Sequence, residues 1–361
     1  SASLPGTGSH RRARMDNGRL LEPMRSCRNS SWRKIMRFID LHCDTISTQV
    51  ARSNKKIHLR KNSGHLDLER MRESGCLAQV FAAFLPTQEA AAEVGIKVGP
   101  QELFNQIYAC YQKELRMNKD ILAPAYSGTD ILKNERKGRM SAILSIEDCV
   151  LLNGDLHKIS ALYKKGVRIM TLTWNYENSL GYPSSPIPAD MERRLKPFGK
   201  AAVQKMQELG ILVDVSHLSD GGFQDVAELS RKSHMPFAAT HSCARSLCPH
   251  PRNLTDGMLK TIGETGSVCG INFSAHFLNG MTQNYTKIDD IVQCARYMRN
   301  KAGIDSLALG SDFDGINSTL EFGDCAGLPR LADALAMYFP AEEVEKICWK
   351  NALRVLTEGT K

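Results

Sequence analysis

The chain has 361 residues, 42% of them hydrophobic, enough for a large core in one barrel-sized domain or two smaller ones. Its net charge of +8 sits mostly in residues 1–35, where eight Lys/Arg face only Asp16 and Glu22, so the rest of the chain lacks the basic balance of a nucleic-acid binder. Eleven cysteines, an odd number with no CxxC pair, argue against a disulfide framework and for reduced thiols.

Residues 1–35 read as a basic N-terminal extension, disordered or vector-derived, and residues 36–361 as the functional domain. No apolar run is long enough to span a bilayer. Neither end carries the pattern of a secretory signal or a lipid anchor. A soluble, cytoplasmic protein without membrane or nucleic-acid partners is therefore expected.

From Phe38 onward, eight strand-like runs follow one another: 38–45, 78–85, 141–147, 167–173, 211–217, 236–242, 267–273 and 306–312. Helical patterns lie between them, the clearest over 103–117, 156–165, 197–209, 223–232, 288–302 and 341–356. Gly166 and Gly210 each stand where a helix stops before a strand. Strands alternating with helices predict parallel βα units. Eight units in this length predict a (β/α)₈ TIM barrel with insertions. A doubly wound sheet is the alternative, but no Gly-rich fingerprint follows the first strand. The long loop 175–194, with Pro183, Pro186 and Pro188, is expected to line or cover the site.

In such a barrel the strand C-termini converge on the active-site face. The first run ends in His42 and Asp44, two residues apart and therefore on one face of a strand. The third ends in Glu147-Asp148, the fifth in Asp214-Val215-Ser216-His217, the sixth in His241-Ser242. The eighth ends in Asp312-Phe313-Asp314-Gly315. Singly, each has an ordinary reading as a cap, a turn, or a hydrogen-bonded core group. Jointly, three imidazoles and several carboxylates at five strand ends match two divalent metals sharing a carboxylate. His65 reads as structural, and His250 and His276 as bordering the pocket. Arg252, eleven residues past His241, either holds a substrate carboxylate or pairs with Asp256.

These residues resemble the membrane (renal) dipeptidases, the M19 peptidases of the amidohydrolase superfamily. The motifs are Asp40-Leu41-His42-Cys43-Asp44, Ile146-Glu147, Gly166-Val167-Arg168 with Thr171-Leu172-Thr173, Leu212 to His217, His241-Ser242, Pro251-Arg252-Asn253 and Gly310 to Gly315. The likeness runs from about Met36 to Leu356 and suggests a bacterial-type cytoplasmic member. It implies two Zn²⁺ per chain on a (β/α)₈ barrel, one held by His42 and Asp44, the other by His217 and His241, with Glu147 between them. It implies hydrolysis of the peptide bond of dipeptides by a metal-bridging hydroxide. Asp312 falls at the acid/base position, with Asp314 near enough in sequence to exchange roles, and Arg252 at the substrate carboxylate. Two positions depart from the family. Trp174 stands where many members have a substrate-contacting histidine, and Asp148 where glycine is common. The Trp174 change leaves open a related amidohydrolase acting on another small amide or lactam. A homodimer is the working expectation.

Overall fold

The computed structural model describes residues 36–53, 56–280 and 284–361. The extension expected over residues 1–35 lies outside them. Eight parallel strands form a closed barrel: β1 (Phe38–Cys43), β2 (Cys76–Phe84), β3 (Met140–Glu147), β4 (Val167–Thr171), β5 (Leu212–Asp214), β6 (Ala238–Ser242), β7 (Val268–Ile271) and β8 (Leu307–Leu309). Each pairs with its successor in the chain, and β8 closes on β1 at Leu309 and Asp40. A short strand, Leu122–Pro124, lies beside the first half of β3, where β4 has not yet joined the ladder.

All eight expected strands are present, and several stop earlier than their apolar runs. The run over 211–217 is strand only to Asp214, and the run over 306–312 only to Leu309. His217 and Asp312 hold φ of +67° and +61°. That left-handed backbone cannot continue a strand. The expected helices form, Pro197–Leu209 and Ile288–Ala302 with unchanged bounds. The helix expected over 341–356 is interrupted by a π-helical turn, Lys346–Lys350. Just after it, Asn351 Nδ2 donates to the carbonyls of Ile304 and Leu307, tying this segment to the start of β8.

Ile39 and Leu41 of β1 lie in the barrel interior, where they pack with Ile143, Ile169, Leu212 and Val268 of other strands and with Ala352, Val355 and Leu356 of the C-terminal helix. A register shift between Asp40 and Cys43 breaks the alternation along β1, and at the site end of the strands the buried groups are polar. Asp40 accepts from Ser311 Oγ at 2.6 Å and Gln79 Nε2 at 2.9 Å. Across the barrel, Asp214 accepts from Thr171 Oγ1 and Thr240 Oγ1, both at 2.6 Å. These hydrogen bonds allow two carboxylates to be buried. The ten described cysteines are all unbridged. Among the described residues no helix is long and apolar enough to cross a membrane.

Candidate metal centre

The five strand ends converge as expected. His42 and Asp44 come from β1, Glu147 from the last residue of β3, His217 from the turn after β5, and His241 from β6. Glu147 stands between the others. Its Oε1 lies 3.1 Å from His217 Nε2 and 3.5 Å from His241 Nε2. Its Oε2 lies 3.6 Å from His42 Nε2. His42 Nε2 also lies 3.5 Å from Asp44 Oδ2 and 3.8 Å from Asp312 Oδ1. All five residues are buried.

The ring nitrogens can be assigned from their partners. Thr240 Oγ1 gives its single proton to Asp214. It must therefore accept from His241 Nδ1, 2.8 Å away. His217 Nδ1 faces Asn175 Oδ1 at 2.9 Å and donates to it. Both Nε2 atoms are thus bare lone pairs, and they face each other at 3.0 Å. Burial holds both imidazoles well below the usual histidine range, which keeps them neutral. Two lone pairs and a carboxylate oxygen converging in a buried space repel unless a cation sits among them. His42 Nε2 and Asp44 Oδ1 are likewise buried without a hydrogen-bond partner. The donor set fits divalent metal, and the anchors behind it are the kind that hold ligating histidines in one tautomer. Thr240→Val removes the acceptor behind His241. It is expected to weaken metal binding about 10–100-fold, measured by competition with a chromophoric chelator. Unchanged affinity would remove Thr240 from that role.

The metal-free charges are uneven. Burial alone would depress His42, but Glu147, Asp44 and Asp312 overcome it and push the imidazole up to about 10. Burial, then repulsion from Asp44, raises Glu147 well above the carboxylate range. Burial also lifts Asp312 to about 7, against the pull of His42. Asp312 Oδ2 accepts from Asn272 Nδ2 at 2.9 Å. Asp314 differs from Asp312: Oδ1 accepts from the His65 N–H at 2.7 Å and Oδ2 from Thr45 Oγ1 at 2.6 Å. His65 Nδ1 in turn accepts from the Asp314 N–H, in line with a structural role.

A cavity of about 620 Å³ opens over this centre, lined by Asp44, Glu147, His217 and Asp312 on its polar side and by Phe84, Val94, Trp174 and Phe277 on its apolar side. His276 borders it, whereas His250 is not among its lining residues and meets the Phe277 ring edge to face, 5.0 Å between centroids. Arg252 is 5% exposed and lies beside the cavity, not among its lining residues. Its Nη atoms donate to Ser242 Oγ and the His241 carbonyl, both at 2.9 Å, while Nε is buried without a partner. The alternative pairing with Asp256 does not occur; that carboxylate binds Lys301, Tyr297 and Ser246. Of the loop over 175–194, only Asn175 lines the cavity. Farther along it, the Ser184 N–H donates to the His217 carbonyl at 2.7 Å.

Four contributors had little sequence signal. Asn175 orients His217, and Thr240 with Asp214 orients His241, although nothing in their spacing singles them out. Gly315 lies so close that a Cβ there would stand 2.1 Å from Asp44 Oδ2 and 2.4 Å from Asp312 Oδ1. Backbone strain was also invisible in the sequence. Six described non-glycine residues have positive φ, and four of them (Asp148, His217, Asp312 and Asp314) belong to these strand ends. Such strain persists where the surrounding structure enforces it.

Comparison with known proteins bears on the family and the fold. The sequence model of the membrane dipeptidase family, peptidase family M19, matches residues 29–361. An uncharacterized Klebsiella pneumoniae protein encoded in the pqqA 5′ region is 37% identical over 239 residues, 64% of this chain and 86% of its own length. The dipeptidase tcpJ of Claviceps purpurea is 27% identical over 301 residues, covering 82% of this chain and 69% of its own. Among solved structures, dipeptidase AC, an M19 metallopeptidase, superposes with a TM-score of 0.81 at 26% identity, covering 90% of this chain and 99% of its own. A Rhodobacter sphaeroides metallopeptidase bound to a phosphinate mimic of L-Ala-D-Ala gives 0.80 at 24% identity, with the same coverage.

Proposed function

The chain belongs to the membrane dipeptidase family, peptidase family M19, and from that premise we propose that it is a zinc dipeptidase hydrolysing the peptide bond of dipeptides. The observation that carries this reading is the buried convergence of His217 Nε2, His241 Nε2 and Glu147 Oε1 as unprotonated donors, with His42 Nε2 unpartnered beside Glu147 Oε2. One Zn²⁺ would be held by His42 and Asp44 and a second by His217 and His241, with Glu147 shared between them. Imidazole and carboxylate donors suit zinc. Bound there, the metal pair supplies Lewis acidity, lowering the pKa of water towards neutrality and polarising the substrate carbonyl.

The chain's own groups do the remaining work. Asp312 is the proposed acid/base. Asn272 occupies its Oδ2, which leaves Oδ1, on the His42 side, to take a proton from the attacking water and return it to the leaving amine. A carboxyl lifted by burial suits proton transfer near neutrality, and cations beside it would draw its pKa down again. Asp314 has both oxygens committed to His65 and Thr45, which supports Asp312 over Asp314. Arg252 is assigned to the substrate carboxylate on the strength of its unpartnered Nε. Trp174 forms part of the substrate wall.

Arg252→Ala is expected to raise the KM for dipeptides about 10–100-fold, the loss of a charged hydrogen bond, with a smaller change in kcat; an unchanged KM would remove Arg252 from this role. The reading as a whole is tested by zinc content per chain together with a panel of L-L and L-D dipeptides and cyclic amides. Two zinc equivalents with dipeptide turnover are expected. Turnover of cyclic amides alone would replace this reading with that of a related amidohydrolase acting on a small amide or lactam. Trp174 favours that second reading, because an indole offers the substrate a neutral N–H where a histidine could be cationic.

A further inference from the structure

Asp148 directly follows Glu147, yet the catalytic reading gives it no task. Its side chain is fully buried. Its φ of +73° suits glycine and strains any other residue. An aspartate kept at such a position needs a use for its side chain, and the hydrogen bonds supply one. Oδ1 accepts from the Val150 N–H and from Asn178 Nδ2, both at 2.8 Å, and Oδ2 accepts from the Trp174 N–H at 3.0 Å.

Asn178 extends the clamp. It donates to the Leu172 carbonyl at 2.8 Å and accepts from the N–H groups of Leu180 and Gly181. One buried carboxylate thus ties the end of β3 to the turn that follows β4. Trp174 is the first cavity residue on that turn. Its indole meets Phe84, from the end of β2, edge to face at 4.8 Å between ring centroids. Phe84, Trp174 and Val94 line the same cavity. They come from three separate chain segments, so their alignment depends on whatever fixes the turn.

We propose that Asp148 is a positioning residue that holds Trp174 against Phe84, and that the wall they form with Val94 selects dipeptides carrying an apolar side chain. The proposal rests on the dipeptidase reading. A leucine-sized side chain buried on such a wall gains about 10–100-fold over glycine. Asp148→Gly is the informative variant, because glycine accepts the strained backbone while removing all three acceptors.

The test compares kcat/KM for Gly-Gly, Leu-Gly and Gly-Leu in the wild type, D148G, W174A and the double variant, with zinc content measured in each. The wild type is expected to favour one leucine peptide about 10–100-fold. D148G and W174A should each cut that preference about tenfold, mainly through KM, at unchanged zinc content. The double variant should be no worse than W174A. Trp174 emission, taken as the difference between wild-type and W174F spectra, should shift to the red in the D148G background. An intact preference in W174A overturns the wall, and it does so even if D148G fails to fold. A D148G enzyme that keeps both preference and emission, or loses all three peptides equally, overturns the positioning role. A wild type that cleaves no dipeptide sinks the dipeptidase reading instead, while the emission comparison still reports on Asp148 and Trp174.

Discussion

Asp312→Asn is expected to lower kcat by about 10²–10⁴-fold, the usual worth of general acid–base catalysis, with metal content at its wild-type level. Asparagine keeps the shape and can still meet Asn272, but it cannot accept and return a proton. The proposed metal ligands His42, Asp44, Glu147, His217 and His241 are untouched, so metal analysis separates a lost proton carrier from a lost metal site. Asp314→Asn is the matching control. It leaves one oxygen where two accept from Thr45 and His65, so its damage should appear mainly in thermal stability. Wild-type turnover in the Asp312 variant would end its assignment as acid/base.

Metal removal should have the second large effect. Chelation is expected to abolish hydrolysis and lower Tm, and zinc should restore both. At a free concentration one hundred times Kd, a single bound ion stabilises the fold by about 2.7 kcal/mol. The physical source is the cluster itself. Without a cation, Asp44, Glu147 and Asp312 crowd one buried space, and the proton they hold on His42 is the nearest positive charge that can answer them. A metal must displace that proton. Affinity should therefore fall as pH falls, and calorimetry in buffers of different ionisation enthalpy should register proton release on binding. Tm and activity that ignore chelation would contradict the metal assignment.

The residues that do the chemistry and those that hold them in place differ in how far the sequence reveals them. His42, Glu147, His217, His241 and Asp312 stand at the ends of apolar runs. An ionisable group there is costly to bury, and the alternation of eight strands with helices determines that such ends meet on one face. The barrel and the meeting of three imidazoles with several carboxylates follow from periodicity and position, whereas the choice of ligands among those carboxylates came from the likeness to the family. Arg252 marks the boundary of that logic. Its place after β6 was legible, but its hydrogen bonds to Ser242 Oγ and the His241 carbonyl, and its location beside the cavity, were not.

Only the tertiary structure decided the rest, because it depends on which atoms meet across the barrel. Asn175 and Thr240 fix imidazole tautomers through contacts with no sequence periodicity. The separate tasks of Asp312 and Asp314, two residues apart, come from partners on other segments: Asn272 after β7 for one, Thr45 and His65 for the other. Asp148 is the sharpest case. In the sequence it was an unexplained departure beside Glu147. In the fold its carboxylate meets Trp174 and Asn178, brought within hydrogen-bonding distance because β3 and β4 are neighbours in the barrel.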